Sequence, residues 1–375
     1  MKNLRSRLTS LLGIPTDRCD LSPEPRGRLE RGGVIIEKWI WTSEPGSRVP
    51  SVLYRPANPA GKMAAIVITC GHGESKSQWY LTYIGQTYAR LGVACLVLDP
   101  VGEEERHITG ALGTRAHDPE PVHDCADHAG RLIMGKLVFD TMRGIDFLLT
   151  RSDIDPDRIG VAGNSLGGAK ATWMLALDPR LKLGLVCGWG YSDHLTVHGK
   201  FCTRIPSIRL REICNWPDFL SLAGPDCAIL LLNGDSDPII DDTGTGKVWE
   251  DTRSIVESIA PNFTDGHVAC WFETGGGHRP YHGHKIALEW IQQHLGTSLT
   301  LDQIQSLPTI NAGDWCDRKG FQLEKLYGTE LHQRGATLPD LGIEPVAQDE
   351  LACLRSNEIG DPQYTIDGWL ENISS

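Results

Sequence analysis

The chain has 375 residues, 40% of them hydrophobic, which is enough to bury a large core in one α/β domain with extensions. Its formal net charge of −12 at pH 7 speaks against a nucleic-acid partner, which would want a basic face. No run of about 18 apolar residues is present, so no membrane partner is expected.

The N-terminal stretch MKNLRSRLTSLLGIPTDR has basic residues but neither the apolar core nor the cleavage site of a signal peptide, so a cytoplasmic location is the expectation. The 11 cysteines are an odd count. Cys70, Cys95, Cys187, Cys227 and Cys270 fall inside expected strands, where reduced cysteine serves as a small hydrophobe. No CxxC pair points to structural zinc, and neither a metal nor another cofactor is expected. Oligomeric state is left open.

In chain order, residues 1–32 read as a charged, proline-punctuated surface segment. Val34 to Trp41 and Pro50 to Tyr54 read as an antiparallel N-terminal hairpin around Ser43-Glu44-Pro45-Gly46. Ala64 to Thr69 is fully apolar, the mark of an interior parallel strand, and ends in the loop CGHGESK. A helix (Tyr80 to Leu91), a strand (Val93 to Asp99), a long loop and a helix (Gly130 to Leu149) follow. Next come a strand (Ile159 to Ala162), a glycine-rich turn and a helix (Ala169 to Leu177). Strands at Leu183 to Cys187, Ala228 to Leu232 and Val268 to Phe272 alternate with helices at Val248 to Ile259 and Lys285 to Leu295. This rhythm predicts an α/β fold with a mostly parallel central sheet and helices on both faces, spanning residues 33–296. Residues 193–222 stand where a cap insert is expected, and 297–375 read as a C-terminal extension packed on the main domain through Trp315 and Trp369.

Chemistry concentrates at Gly163-Asn164-Ser165-Leu166-Gly167-Gly168. A Gly-x-Ser-x-Gly turn between strand and helix lifts the serine hydroxyl clear of the sheet, and side chains at the flanking glycines would collide. Ser165 is therefore the expected nucleophile. A serine alcohol needs a base, and the base needs a third group to orient it. The loop after Leu232 carries Asp235 and Asp237; the Gly-x-x-Asp spacing from Gly234 favours Asp237, with Asp235 as the alternative. After the last strand, triple glycine precedes His278, the expected base, while His282 and His284 read as cap or surface residues. The oxyanion donors are expected to be the amides of Leu166 and His72. Gly73, Trp189 and Tyr191 are candidate substrate-binding residues.

With these pieces placed, the chain resembles the α/β-hydrolase superfamily, and within it the bacterial acetyl xylan esterases and dienelactone-hydrolase-like esterases. The matching stretches are CGHGESK, LVLDPVGEEER, DTMRGIDFLLTRSDIDPDRIGVAGNSLGG and PDFLSLAGPDCAILLLNGDSDPII. Cys70 stands where such loops usually carry histidine, and Glu104 where glycine is expected. The resemblance implies a serine carboxylic-ester hydrolase acting through an acyl-enzyme on a small, acetyl-like ester, carbohydrate esters among them. The alternatives are a peptidase on the same fold and an inactive hydrolase-fold binding protein. His123, Asp124 and His128 offer a weaker reading as metal ligands, set against a helix start. Glu103-Glu104-Glu105-Arg106 reads as a solvated charge run.

Overall fold

A computed structural model describes residues 2–198, 201–320 and 334–375. The sheet has nine strands: β1 (Glu24–Arg31), β2 (Val34–Glu44), β3 (Ser47–Pro56), β4 (Met63–Thr69), β5 (Ala94–Leu98), β6 (Ile154–Asn164), β7 (Leu183–Cys187), β8 (Ala228–Gly234) and β9 (Val268–Glu273). Their spatial order is β1-β2-β3-β5-β4-β6-β7-β8-β9. Strands β1, β2 and β3 form an antiparallel edge, β3 meets β5 antiparallel, and β4 to β9 run parallel. The parallel strands are short apolar runs because helices cover both faces, and β4, MAAIVIT, is buried at every position. Alternation divides its side chains: Ala65 and Val67 join the core on one face, Ile66 and Ile68 the core on the other.

The chain order reverses at β4, with β5 on one side and β6 on the other. A crevice opens beyond the carboxyl ends of strands at such a reversal, and β4 and β6 deliver the CGHGESK loop and Ser165 there. Helices α1 (Lys2–Leu11), α2 (Trp79–Arg90), α3 (Glu120–His128), α4 (Ile133–Leu149) and α5 (Leu166–Leu177) precede the insert. Every residue of α5 is buried, so the helix that starts at Ser165 is held on all sides and cannot swing. The insert contributes α6 (Asp193–His198), α7 (Phe201–Arg211) and α8 (Trp216–Leu220), and α9 (Lys247–Ile259) and α10 (Lys285–His294) complete the layers. In the C-terminal extension, Trp315 lies 5.1 Å from Tyr83 and 5.8 Å from Trp79, ring to ring. Trp369 is buried with its indole nitrogen donating to Glu44 at 3.0 Å.

Two expectations need correction. The first 32 residues are not only a surface wrap: β1 adds a strand to the sheet edge, and Leu8 of α1 is buried. Its charged alternation suits a strand at the edge of a sheet, where one side stays wet. The run Glu103-Glu104-Glu105-Arg106 is not solvated; each residue is at most 4% exposed. Lys76 Nζ stands 2.7 Å from Asp99, 2.7 Å from Glu105 and 3.4 Å from Glu104, and Arg106 donates to Asp140 at 2.6 Å. Glu104 adopts φ +44°, a conformation that favours glycine. Here the carboxylate offsets that strain by facing Lys76.

Candidate active site

Ser165 caps the N-terminus of α5 at φ +61° and ψ −124°, a strained backbone for a residue with a Cβ. The strain is held by close packing beneath it. Thr69 Oγ1 lies 2.7 Å from Gly167 O and 3.0 Å from Ala162 O. A Cβ on Gly163 would overlap Thr69 Oγ1, and one on Gly167 would overlap Thr69 O. The Ser165 amide donates to Cys187 O at 3.0 Å, which ties the turn to β7.

Asp237 and His278 meet at the same rim. The loop after β8 buries Asp237, and the loop after β9 returns His278 so that its Nδ1 lies 2.6 Å from Asp237 Oδ2. The other carboxylate oxygen accepts the amides of Ile239 at 2.9 Å and Ile240 at 3.3 Å. With Nδ1–H donating to the carboxylate, Nε2 keeps its lone pair. Burial pushes the His278 pKa down, but the charge and hydrogen bond of Asp237, with Glu74 beyond, carry it above its ordinary value of 6.5. Gly188 marks how near Ser165 is: a Cβ there would stand 2.9 Å from His278 Cε1 and 3.2 Å from the Ser165 amide nitrogen. Asp235 goes elsewhere, accepting from Gly275 N at 2.7 Å on the exposed side.

Leu166 is the first residue of α5, so its amide has no acceptor within the helix. His72 lies in the turn after β4, and both residues line a cavity of about 320 Å³ together with Ser165. Trp189, Leu195, Ile239 and Ile240 give that cavity apolar wall; His194, Thr203 and Asp242 give it polar groups. The volume suits a small ligand. His194 Nε2 meets Asp242 Oδ1 at 2.7 Å, joining the insert to the loop after β8.

Several expected positions fall differently. Tyr191 is fully buried, its hydroxyl 2.9 Å from Thr172 and its ring against Trp216, so it packs the insert and does not line the cavity. Gly73 is also outside the cavity lining and turns toward Arg115. His282 and His284 are buried, and burial draws both down to about 3; His284 does occupy the N-cap position of α10. The set His123, Asp124 and His128 does not converge, because Asp124 and His128 are exposed while His123 is buried.

Sequence reasoning missed the layer under the site. Glu74, buried two residues from His72, accepts from Gly71 N at 2.5 Å and from the Tyr80 hydroxyl. Burial raises its pKa despite those donors. It fixes the loop whose next amide is His72, and its place in CGHGESK was the available signal. Lys170 of α5 is buried, and that burial lowers its pKa against the pull of Cys70 and Glu74. Asn233 at the end of β8 accepts from Trp189 N at 3.0 Å and donates to Trp189 O at 3.2 Å, placing the indole in the cavity wall.

A methylesterase, BT1017, superposes with a TM-score of 0.64 at 18% identity, covering 99% of this chain and 74% of that one. An acetyl xylan esterase from Bacteroides fragilis superposes at 0.58 with 17% identity, covering 72% and 74%. The fold is that of the α/β-hydrolases. Residues 33–193 match the acetyl xylan esterase family model. A Bacillus subtilis protein named as a hydrolase, YtaP, is 27% identical over 190 residues, covering 48% of this chain. The chain spans 61% of that relative's length. No helix among the described residues is long and apolar enough to cross a membrane.

Proposed function

We propose that the chain is a serine carboxylic-ester hydrolase that removes a small acyl group, acetyl being the type, from a polar alcohol such as a carbohydrate. The observation that carries this reading is the strained Ser165 elbow, which lines the cavity, standing across Gly188 from the hydrogen-bonded Asp237–His278 pair. Ser165 Oγ attacks the ester carbonyl while His278 Nε2 takes the hydroxyl proton, and Asp237 stabilises the imidazolium. The carbonyl oxygen becomes an oxyanion facing the amides of Leu166 and His72, at the N-terminus of α5. His278 returns the proton to the leaving alcohol, leaving an acyl-serine. Water activated by His278 then releases the acid and restores Ser165.

The apolar side of the cavity fits a short acyl group, and the polar side, with His194, Thr203 and Asp242, fits a hydroxyl-rich leaving group. The names of the acetyl xylan esterases and the methylesterase that share this fold support an ester substrate. The test is labelling by a serine-directed fluorophosphonate together with hydrolysis of acetylated sugars and nitrophenyl acetate. Label and turnover are expected in the native chain and absent in Ser165→Ala. Sustained turnover by that variant would refute the reading.

A further inference from the structure

Beside the site stands a cluster of side chains that the hydrolytic reading does not use, although it takes the backbone amide of one of them, His72. His72 Nε2 lies 2.6 Å from Cys202 Sγ and 3.1 Å from Asp118 Oδ1, and one atom from each residue falls within 4.8 Å of the other two. The three come from separate places: the turn after β4, the loop before α3, and α7 of the insert. A single ring nitrogen has one proton or one lone pair, so it cannot serve a thiol and a carboxylate together along one axis. Asp118 Oδ1 is buried without an aligned hydrogen bond. The adjoining His117 ring stacks on His72 at 5.9 Å, and its Nδ1 faces Val101 O at 3.1 Å. That leaves His117 Nε2 buried with no hydrogen-bond partner, a lone pair of the kind that a bound ion or its water would satisfy.

We propose that His72, Asp118 and Cys202 form a binding site for a thiophilic divalent cation of the zinc class. Imidazole, carboxylate and thiolate are the donors zinc takes, and three protein ligands leave its fourth position open. Around a tetrahedral zinc such donor atoms stand roughly 3 to 4 Å apart; the 3.1 Å nitrogen–oxygen distance fits this, and the 2.6 Å nitrogen–sulfur distance has to open by about 1 Å on binding. Calcium and magnesium prefer all-oxygen shells and do not suit a buried sulfur. On binding, Cys202 gives its thiol proton to solvent, a metal–sulfur bond forms, and His72 contributes the Nε2 lone pair. No electron changes hands.

The test uses the full chain stripped with a chelator. Zinc titration by calorimetry should show one ion per chain, and cobalt should give a near-ultraviolet sulfur-to-metal charge-transfer band. Cys202→Ser should abolish the band and weaken zinc binding at least about tenfold, the scale on which even outer groups tune metal affinity. Asp118→Asn should keep the band and weaken zinc binding, which covers the case in which Cys202→Ser fails to fold. Cys214→Ser, a cysteine outside the cluster, should change neither. Absence of stoichiometric uptake, a band that survives Cys202→Ser, or unchanged affinity in Asp118→Asn would each overturn the proposal. Because the readouts are binding and absorbance, their outcome is independent of whether Ser165 is the nucleophile.

Discussion

Asp237 accepts the hydrogen bond of His278 Nδ1–H at 2.6 Å with one oxygen while its other oxygen accepts two backbone amides. The carboxylate therefore cannot rotate away, and the imidazole it orients has its pKa raised above 6.5. A base works only when neutral, so activity should fall as pH drops through that raised value. The acid limb of kcat/KM is expected above pH 6.5. In Asp237→Asn the limb should move down and the rate should fall by about 10³- to 10⁴-fold. A pH–rate profile for both proteins checks this; an acid limb below pH 6.5 in the native chain would show that Asp237 does not raise the pKa of His278.

Gly167 has no room for a side chain, since a Cβ would enter the space of Thr69 O. Gly167→Ala should cost about 1–3 kcal/mol, the usual range for overpacking. The fluorophosphonate labelling rate should fall as well, because the elbow has to shift to accept the methyl group. Thermal melting and labelling kinetics measure the two effects; an unchanged Tm with full labelling would mean that the turn has slack.

Lys76 is the buried cation among Asp99, Glu104 and Glu105, and Glu105 also accepts the amides of Cys353 and Leu354 from the C-terminal extension at 2.8 and 2.6 Å. Removing the cation leaves buried carboxylates uncompensated, so Lys76→Met should destabilise by about 3–5 kcal/mol. Lys319 pairs with Glu344 at 2.8 Å on the surface, and Lys319→Met should cost no more than about 1 kcal/mol. Urea unfolding of both variants makes the comparison, and equal losses would count against the network.

His117, His282 and His284 are each drawn down to about 3 by burial. In the unfolded chain they titrate near 6.5, so between about pH 6.5 and 3 the unfolded state binds the extra protons. Stability should then rise with pH across that window and be lost as pH falls. Each histidine adds a slope of about 1.4 kcal/mol per pH unit. Urea midpoints from pH 7 to 4 should show the decline, and His284→Asn should make it shallower. A flat profile would place these imidazoles in contact with water.

From Val34 onward the sequence by itself determined the order of the sheet strands β2 to β9, because apolar runs and their punctuation are local signals, while the charged edge strand β1 carried no such signal. β4 is seven buried residues in a row, and the glycines about Ser165 mark a turn that larger side chains could not make. The same local reading named Ser165, His278 and two aspartates. Spacing favoured Asp237 over Asp235, and the tertiary structure turns Asp237 toward His278 and Asp235 toward Gly275. It also decided which charges are buried. Glu103 to Arg106 has the composition of a wet loop, yet its partners Lys76, Asp140 and the Cys353 amide lie tens to hundreds of residues away. Tyr191 looked like a pocket aromatic until Thr172 and Trp216 closed over it. His72, Asp118 and Cys202 are spread over 130 residues with no spacing to join them. Periodicity records whether a residue faces the core of its own element; which distant group it meets there is set by how the elements pack, and the chain carries no local mark of that.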